Sequence, residues 1–194
     1  MCYIIDMDRK DIKIIAIVGM SGSGKSVAVD YLTEKGVPKV YFGGMILKEV
    51  ERRGLERTSE TERMVREDVR EKFGKDWVVR QVIEETKKLI EAGQKRIVLD
   101  GVYSWTEYRI LKHEFPGELT FVAVVLPKKL RYKRVGQRPE RPFNLDEIVE
   151  RDRTEIENLE KGGPIAAADY YIMNDGSISE MHEKIDEVLE KIEW

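Results

Sequence analysis

Residues Gly19-Met20-Ser21-Gly22-Ser23-Gly24-Lys25-Ser26 read G-x-x-x-x-G-K-S. This spacing constrains the chain more than any other stretch, because it sets a backbone path and a chemistry together. The glycines let the backbone curl without Cβ clashes. A curled backbone points several N–H groups at one place, and a helix starting there adds the positive end of its dipole. Lys25 brings a compact positive charge, and the Ser26 hydroxyl suits a hard cation such as Mg²⁺. A polyphosphate is the ligand such a cradle takes. The flanks agree: residues 12–18 are a β-branched run that reads as a buried strand, and residues 27–32 read as a helix. Gly19, Ser21, Gly22, Ser23, Gly24, Lys25, Ser26 and Val27 are therefore the candidate nucleotide-binding residues. A glycine turn that merely joined strand to helix would leave Lys25 without a role.

The rest of the chain alternates in the same way. Apolar strands are expected at 40–42, 96–101, 120–126 and 170–173. Between them lie helical patterns, the clearest at 77–92, where Val78, Val79, Val82, Ile83, Leu89 and Ile90 recur at helical spacing. Met64, Val65, Val69 and Phe73 mark another helix. Ser59 with Glu62, Ser104 with Glu107 and Asn144 with Glu147 read as helix-starting boxes. Gly43-Gly44 follows the second strand as a flexible link, and Gly162-Gly163-Pro164 should break the helix that starts at Asn144. Tyr3-Ile4-Ile5 could add an edge strand or belong to a loosely held arm. The pattern predicts one α/β domain over residues 1–194, with a mainly parallel five-stranded sheet covered by helices on both faces. Ligands in such sheets bind beyond the carboxyl ends of the strands.

Asp100 ends the strand at 96–101, where a second Mg²⁺ anchor opposite Ser26 is needed; the competing reading is a turn cap before Gly101. Arg131 and Arg134 are three apart on one helix, and Arg138 and Arg141 follow in a Pro-containing loop. Together they form a cationic lid over residues 131–153 that can neutralise a transferred phosphoryl group. Arg134 and Arg138 are its candidate catalytic arginines, with Lys25 and Asp100, and Arg131 is a candidate nucleotide-binding residue. Asp152 falls within the stripe Leu145, Ile148, Val149, Ile156, Leu159 and reads as a lid hinge or an arginine partner. Residues 43–74, with Arg52, Arg53, Arg57, Arg66 and Arg70, are the candidate acceptor side, together with Tyr103 and Trp105.

Composition removes other classes. The 194 residues carry a net charge of −3, which argues against a nucleic-acid partner. A single cysteine, Cys2, excludes an internal disulfide or a cysteine-rich zinc site. No apolar run approaches the roughly 20 residues needed to span a bilayer. No signal peptide is visible, so a cytoplasmic setting is expected, and 37% charged residues fit a heat-tolerant surface.

With these residues in place, the chain resembles the dephospho-coenzyme A kinase and nucleoside monophosphate kinase group of P-loop proteins. The resemblance runs from Ile12 almost to the end. It rests on residues 19–26, on Ile97-Val98-Leu99-Asp100-Gly101, on the arginine-rich segment and on Ala168-Asp169-Tyr170-Tyr171-Ile172-Met173-Asn174-Asp175-Gly176. The run from Arg151 to Asp169 is similar to a kinase-like archaeal and bacterial branch. The resemblance implies a three-layer P-loop NTPase fold with a small helical lid, ATP and Mg²⁺ as cofactors, and Asn174 close to the adenine. Two motifs depart from it: Gly43-Gly44 stands where relatives carry an acid after the second strand, and Asp100-Gly101-Val102-Tyr103-Ser104 replaces the usual acceptor motif. The expected activity is phosphoryl transfer from ATP to a small phosphorylated acceptor, a nucleoside monophosphate or dephospho-coenzyme A. Two other readings stay open: a nucleotide-dependent switch that orders a surface for a partner, and a polynucleotide end kinase.

Overall fold

Strand β1 (Lys13–Val18) is buried at every position from Ile14 onward, as a β-branched run covered on both faces requires. The computed structural model describes residues 11–139 and 142–194; the expected Tyr3-Ile4-Ile5 strand and Arg141 lie outside them. Four more strands join β1: β2 (Lys39–Tyr41), β3 (Arg96–Asp100), β4 (Leu119–Val125) and β5 (Tyr170–Met173). Their order is β2-β3-β1-β4-β5, and every neighbouring pair is parallel.

Alternate residues of the strands feed two cores, because successive side chains leave a strand on opposite faces. Ile14, Ala16 and Val18 pack with Ile97, Leu99 and Phe121 beneath α4 (Trp77–Glu91) and α5 (Trp105–Glu114). Ile15 and Ile17 pack with Val98, Val122 and Ile172 beneath α1 (Lys25–Glu34) and α9 (Ile178–Lys191). A third cluster, Ile46, Val50, Val65 and Val69, joins α2 (Phe42–Arg52) to α3 (Ser59–Phe73) at one side. The result is a three-layer α/β fold: a five-stranded parallel sheet between two helical layers. No described helix is long and apolar enough to cross a membrane.

Several local expectations change. Phe42 opens α2 instead of closing β2, so Gly43 and Gly44 sit in a helical first turn and not in a flexible link. A Cβ on Gly43 would lie 2.5 Å from the Tyr41 ring, so the glycine leaves room for that side chain. The box that starts α3 is Thr58 with Thr61, one residue before the expected serine. Both residues offer hydroxyls that can exchange bonds with the backbone, so the box moves without loss. Met64 and Phe73 are exposed, because the buried apolar residues by which α3 rests on α2 are Val65 and Val69. Gly162-Gly163-Pro164 does not simply break the chain; it forms the short helix α8 (Gly162–Ala166).

Between β4 and α8 run α6 (Lys128–Gln137) and α7 (Leu145–Glu157). On α7 the apolar stripe faces outward: Leu145, Val149 and Ile156 are exposed, and the inner face carries Ile148, Asp152 and Glu155. Two stripes share this helix at similar spacing. The inner one is polar because it faces the phosphate loop and α6.

Candidate functional site

The loop at residues 19–26 joins the end of β1 to the start of α1 and lies at the carboxyl edge of the sheet. Its close packing leaves glycine as the fitting residue at two positions. Gly22 has φ +77, and a Cβ there would lie 2.1 Å from Val135 Cγ2 on α6. Gly24 has φ +99, and a Cβ would lie 2.1 Å from Asn174 Nδ2. The loop thus touches α6 on one side and the turn after β5 on the other. Asn174 is buried, and its Nδ2 donates to the Ser23 carbonyl at 2.8 Å. Arg134 holds that turn in place, donating to the carbonyls of Asn174 at 2.6 Å and Gly176 at 3.1 Å.

Lys25 Nζ donates to the Met20 carbonyl at 3.0 Å, so its ammonium lies across the loop. Burial, reinforced by the charge of Lys161, brings its pKa down to about 8 against the pull of Glu155 and Asp100. A partly uncompensated ammonium inside a curled backbone is what a polyphosphate would neutralise. The Ser23 hydroxyl is buried and has no hydrogen-bond partner among the described residues. Ser26 is exposed on the first turn of α1, and Val27 packs partly into the second core.

Asp100 ends β3, in register with Ile17 on one side and Tyr41 on the other. Burial raises its pKa, while Lys39 and Lys25 hold it back. Among the described residues no three His, Cys, Asp or Glu side chains gather as a metal cage. Mg²⁺ is commonly held by one or two side chains together with substrate phosphates. Ser26 and Asp100 fit that pattern.

Arg131 and Arg134 do not converge on one place. Arg131 Nη1 donates to the Ser21 carbonyl at 2.9 Å and to Asp152 Oδ1 at 2.8 Å, and its Nη2 donates to Asp152 Oδ2. The Tyr132 hydroxyl completes this buried group, 2.9 Å from Asp152 Oδ2. Asp152 is therefore an arginine partner that ties α7 to α6 and the loop. Arg138 lies over the Phe143 ring, 4.6 Å from its centre. On the acceptor side, Arg52 and Arg53 both bond Glu49, holding its carboxyl down at about 2 despite burial, and Arg53 also meets Asp68 at 2.8 Å.

Two residues here escape sequence reasoning. Glu155 is fully buried, and both of its oxygens rest on Ser21: Oε2 accepts from the backbone N–H at 3.0 Å and Oε1 from the hydroxyl at 2.7 Å. Lys161, 2% exposed, places its ammonium 3.0 Å from Glu155 Oε1. Burial would raise the Glu155 pKa, but Lys161 and the Ser21 bonds outweigh it and bring it to about 2. The available signal was the spacing Ile148, Asp152, Glu155, one helix face; the competing apolar stripe on α7 obscured it.

A family profile described as an AAA domain matches residues 15–158. A UPF0200 protein of Thermococcus onnurineus is 36% identical over 182 residues, covering 92% of this chain and 97% of its own. The chain belongs to the UPF0200 family of P-loop proteins. Members of other families share the fold at low identity. An unliganded sugar kinase from Janibacter matches with a TM-score of 0.58 at 16% identity, over 94% of this chain and 95% of that one. Shikimate kinase from Aquifex aeolicus matches with a TM-score of 0.52 at 22% identity, over 91% and 96%. This UPF0200 chain therefore has a kinase-like P-loop architecture, similar to that of small-molecule kinases.

Proposed function

We propose that this protein transfers the γ-phosphoryl group of ATP, with Mg²⁺, to a small acceptor that already carries phosphate. A nucleoside monophosphate is the first candidate and dephospho-coenzyme A the second. The observation that carries the acceptor reading is the cluster around Asp100. Tyr41 neighbours it in the sheet, and the charges of Asp100, Glu62, Arg57 and Arg66 all act on the Tyr41 hydroxyl, whose pKa is raised chiefly by burial. Arg66 makes no ion pair among the described residues, and Arg57 meets Glu62 only at 3.8 Å. Arg57 and Arg66 act on Tyr41, and Tyr41 in turn acts on Tyr103, which supports a phosphate held next to a flat ring.

The loop backbone and Lys25 bind the β- and γ-phosphates of the nucleotide and fix their orientation. Mg²⁺, when bound, offsets phosphate charge, with the Ser26 hydroxyl and Asp100 as its anchors on this chain. The α6–α7 pair, the lid of this reading, covers the loop and excludes water. No protein nucleophile is required, because the acceptor oxygen attacks phosphorus directly. Its proton passes to water or to Asp100, since no acid follows β2.

The test is γ-labelled ATP incubated with each nucleoside monophosphate and with dephospho-coenzyme A, the products then being separated. Label on one of these acceptors is the expected result. ATP hydrolysis that ignores every acceptor would overturn the reading in favour of a switch, and label on a 5′ end of RNA or DNA would favour a polynucleotide kinase. Asp100→Asn should lower turnover far more than it lowers nucleotide binding measured without metal.

A further inference from the structure

The arginines that looked available to the transferred group are engaged elsewhere. Arg131 is paired with Asp152, Arg134 bonds two carbonyls, and Arg138 covers Phe143. A different cation is linked to the phosphate loop from the far end of α7, through Glu155. The Lys161 backbone N–H donates to the Glu155 carbonyl at 3.0 Å, and this turn brings its side chain back onto the Glu155 carboxylate. That carboxylate sits on Ser21, the third residue of the loop. The Tyr103 ring lies under the ammonium, 4.5 Å away, and orients it further.

The charges around this point do not balance. Glu155 faces Lys161 at 3.0 Å and Arg151 at 3.0 Å, and it also acts on Lys25. Asp100 also acts on Lys25, so two carboxylates face three cations, two of them lysines that the fold buries. An ammonium has three donors, and Lys161 gives Glu155 one of them. Buried donors and surplus positive charge call for an anion with several oxygens.

We propose that Lys161 is a catalytic residue of this site: its ammonium, held by Glu155 at the rim of the phosphate loop, donates hydrogen bonds to the transferred phosphoryl group. This inference rests on the phosphoryl-transfer reading above. In the step it serves, a bond forms between the acceptor oxygen and the γ-phosphorus while the bond to the βγ-bridging oxygen breaks. The electron pair stays on the bridging oxygen, and the acceptor proton leaves to water or Asp100. Lys161 keeps its own proton and stabilises charge on the equatorial oxygens. Glu155 is the positioning residue.

The experiment is calorimetric titration with Mg²⁺-ADP, with and without aluminium fluoride, which mimics the phosphoryl group in flight. The wild type is compared with Lys161→Ala, with Lys161→Arg, and with a Lys161→Met, Glu155→Gln double variant that leaves no unpaired buried charge; thermal melts confirm folding. Lys161→Ala should keep ADP affinity within about threefold, and both lysine-less variants should lose about a hundredfold of the added affinity that aluminium fluoride confers, the usual effect of one preorganised donor. Lys161→Arg should recover most of it. Aluminium fluoride affinity unchanged in both lysine-less variants would overturn the assignment, as would, in Lys161→Ala, an equal loss of ADP alone and ADP with aluminium fluoride. A wild type that binds no ADP would overturn the phosphoryl-transfer reading as well, so the two failures are distinguishable.

Discussion

Asn174 and Ser23 are 151 residues apart and share one bond, from the Asn174 side-chain amide to the Ser23 carbonyl at 2.8 Å. Through it the turn after β5 sets the curvature of the phosphate loop. Asn174→Ala leaves a buried carbonyl without its donor, which costs about 1–3 kcal/mol. We expect urea unfolding to show that loss, and ATP affinity to fall about tenfold, equivalent to roughly 1.4 kcal/mol. An intact affinity would mean that the loop keeps its shape without the amide.

Lys25 gives the site a pH dependence whose sign is fixed. Its pKa is ordinarily 10.5 and falls to about 8 in the folded chain, lowered by burial first and the Lys161 charge second. Between those values the unfolded chain holds a proton that the folded chain has released, so stability rises with pH across this window. The cost of burying the ammonium is fully present below pH 8. Bound polyphosphate restores the proton, so ATP affinity should fall as pH rises past 8, with proton uptake on binding. Titrations near pH 8 in buffers of different ionisation enthalpy measure that uptake, and Lys25→Met should abolish it. Identical heats in all buffers would contradict the coupling.

The Arg131–Asp152 pair is a structural brace, and its two halves differ from their sum. Asp152→Ala strands the buried Arg131 guanidinium and the Tyr132 hydroxyl. The expected cost is about 3–5 kcal/mol, whereas an apolar replacement of both partners, Arg131→Met with Asp152→Leu, is milder. Denaturant melts of the two variants decide this. Equal losses for single and double variants would show that the pair is not the brace.

Gly43→Ala separates the acceptor side from the nucleotide side. The new Cβ meets the Tyr41 ring, which is 41% exposed and free to turn away. Alanine also favours the first turn of α2, so stability should hold or rise by up to about 1 kcal/mol. ATP affinity should stay unchanged while kcat/KM for the phosphorylated acceptor falls about tenfold, the loss of one ring contact. A fall in ATP affinity instead would place Tyr41 on the nucleotide side.

The sequence by itself determined what depends on neighbours in the chain. The β-branched run of β1, the glycine spacing of the loop and the helical periodicity of α4 each follow from backbone sterics and a two- or 3.6-residue repeat. The alternation of strands and helices then led to the parallel sheet and put the loop and Asp100 at one edge. Caps were legible to within a residue, because Thr58 and Ser59 are chemically similar hydroxyl residues. Tertiary structure decided which polar groups meet. Ser21 and Glu155 are 134 residues apart, and no local repeat encodes their pairing. On α7 the apolar stripe suggested a core face, yet Leu145, Val149 and Ile156 face outward. The inner face of that helix carries charge because burial of a charge is tolerated only where partners come from elsewhere in the fold. Arg131 and Lys161 are both cations in the same region of sequence; only the three-dimensional packing gave Asp152 to one and Glu155 to the other.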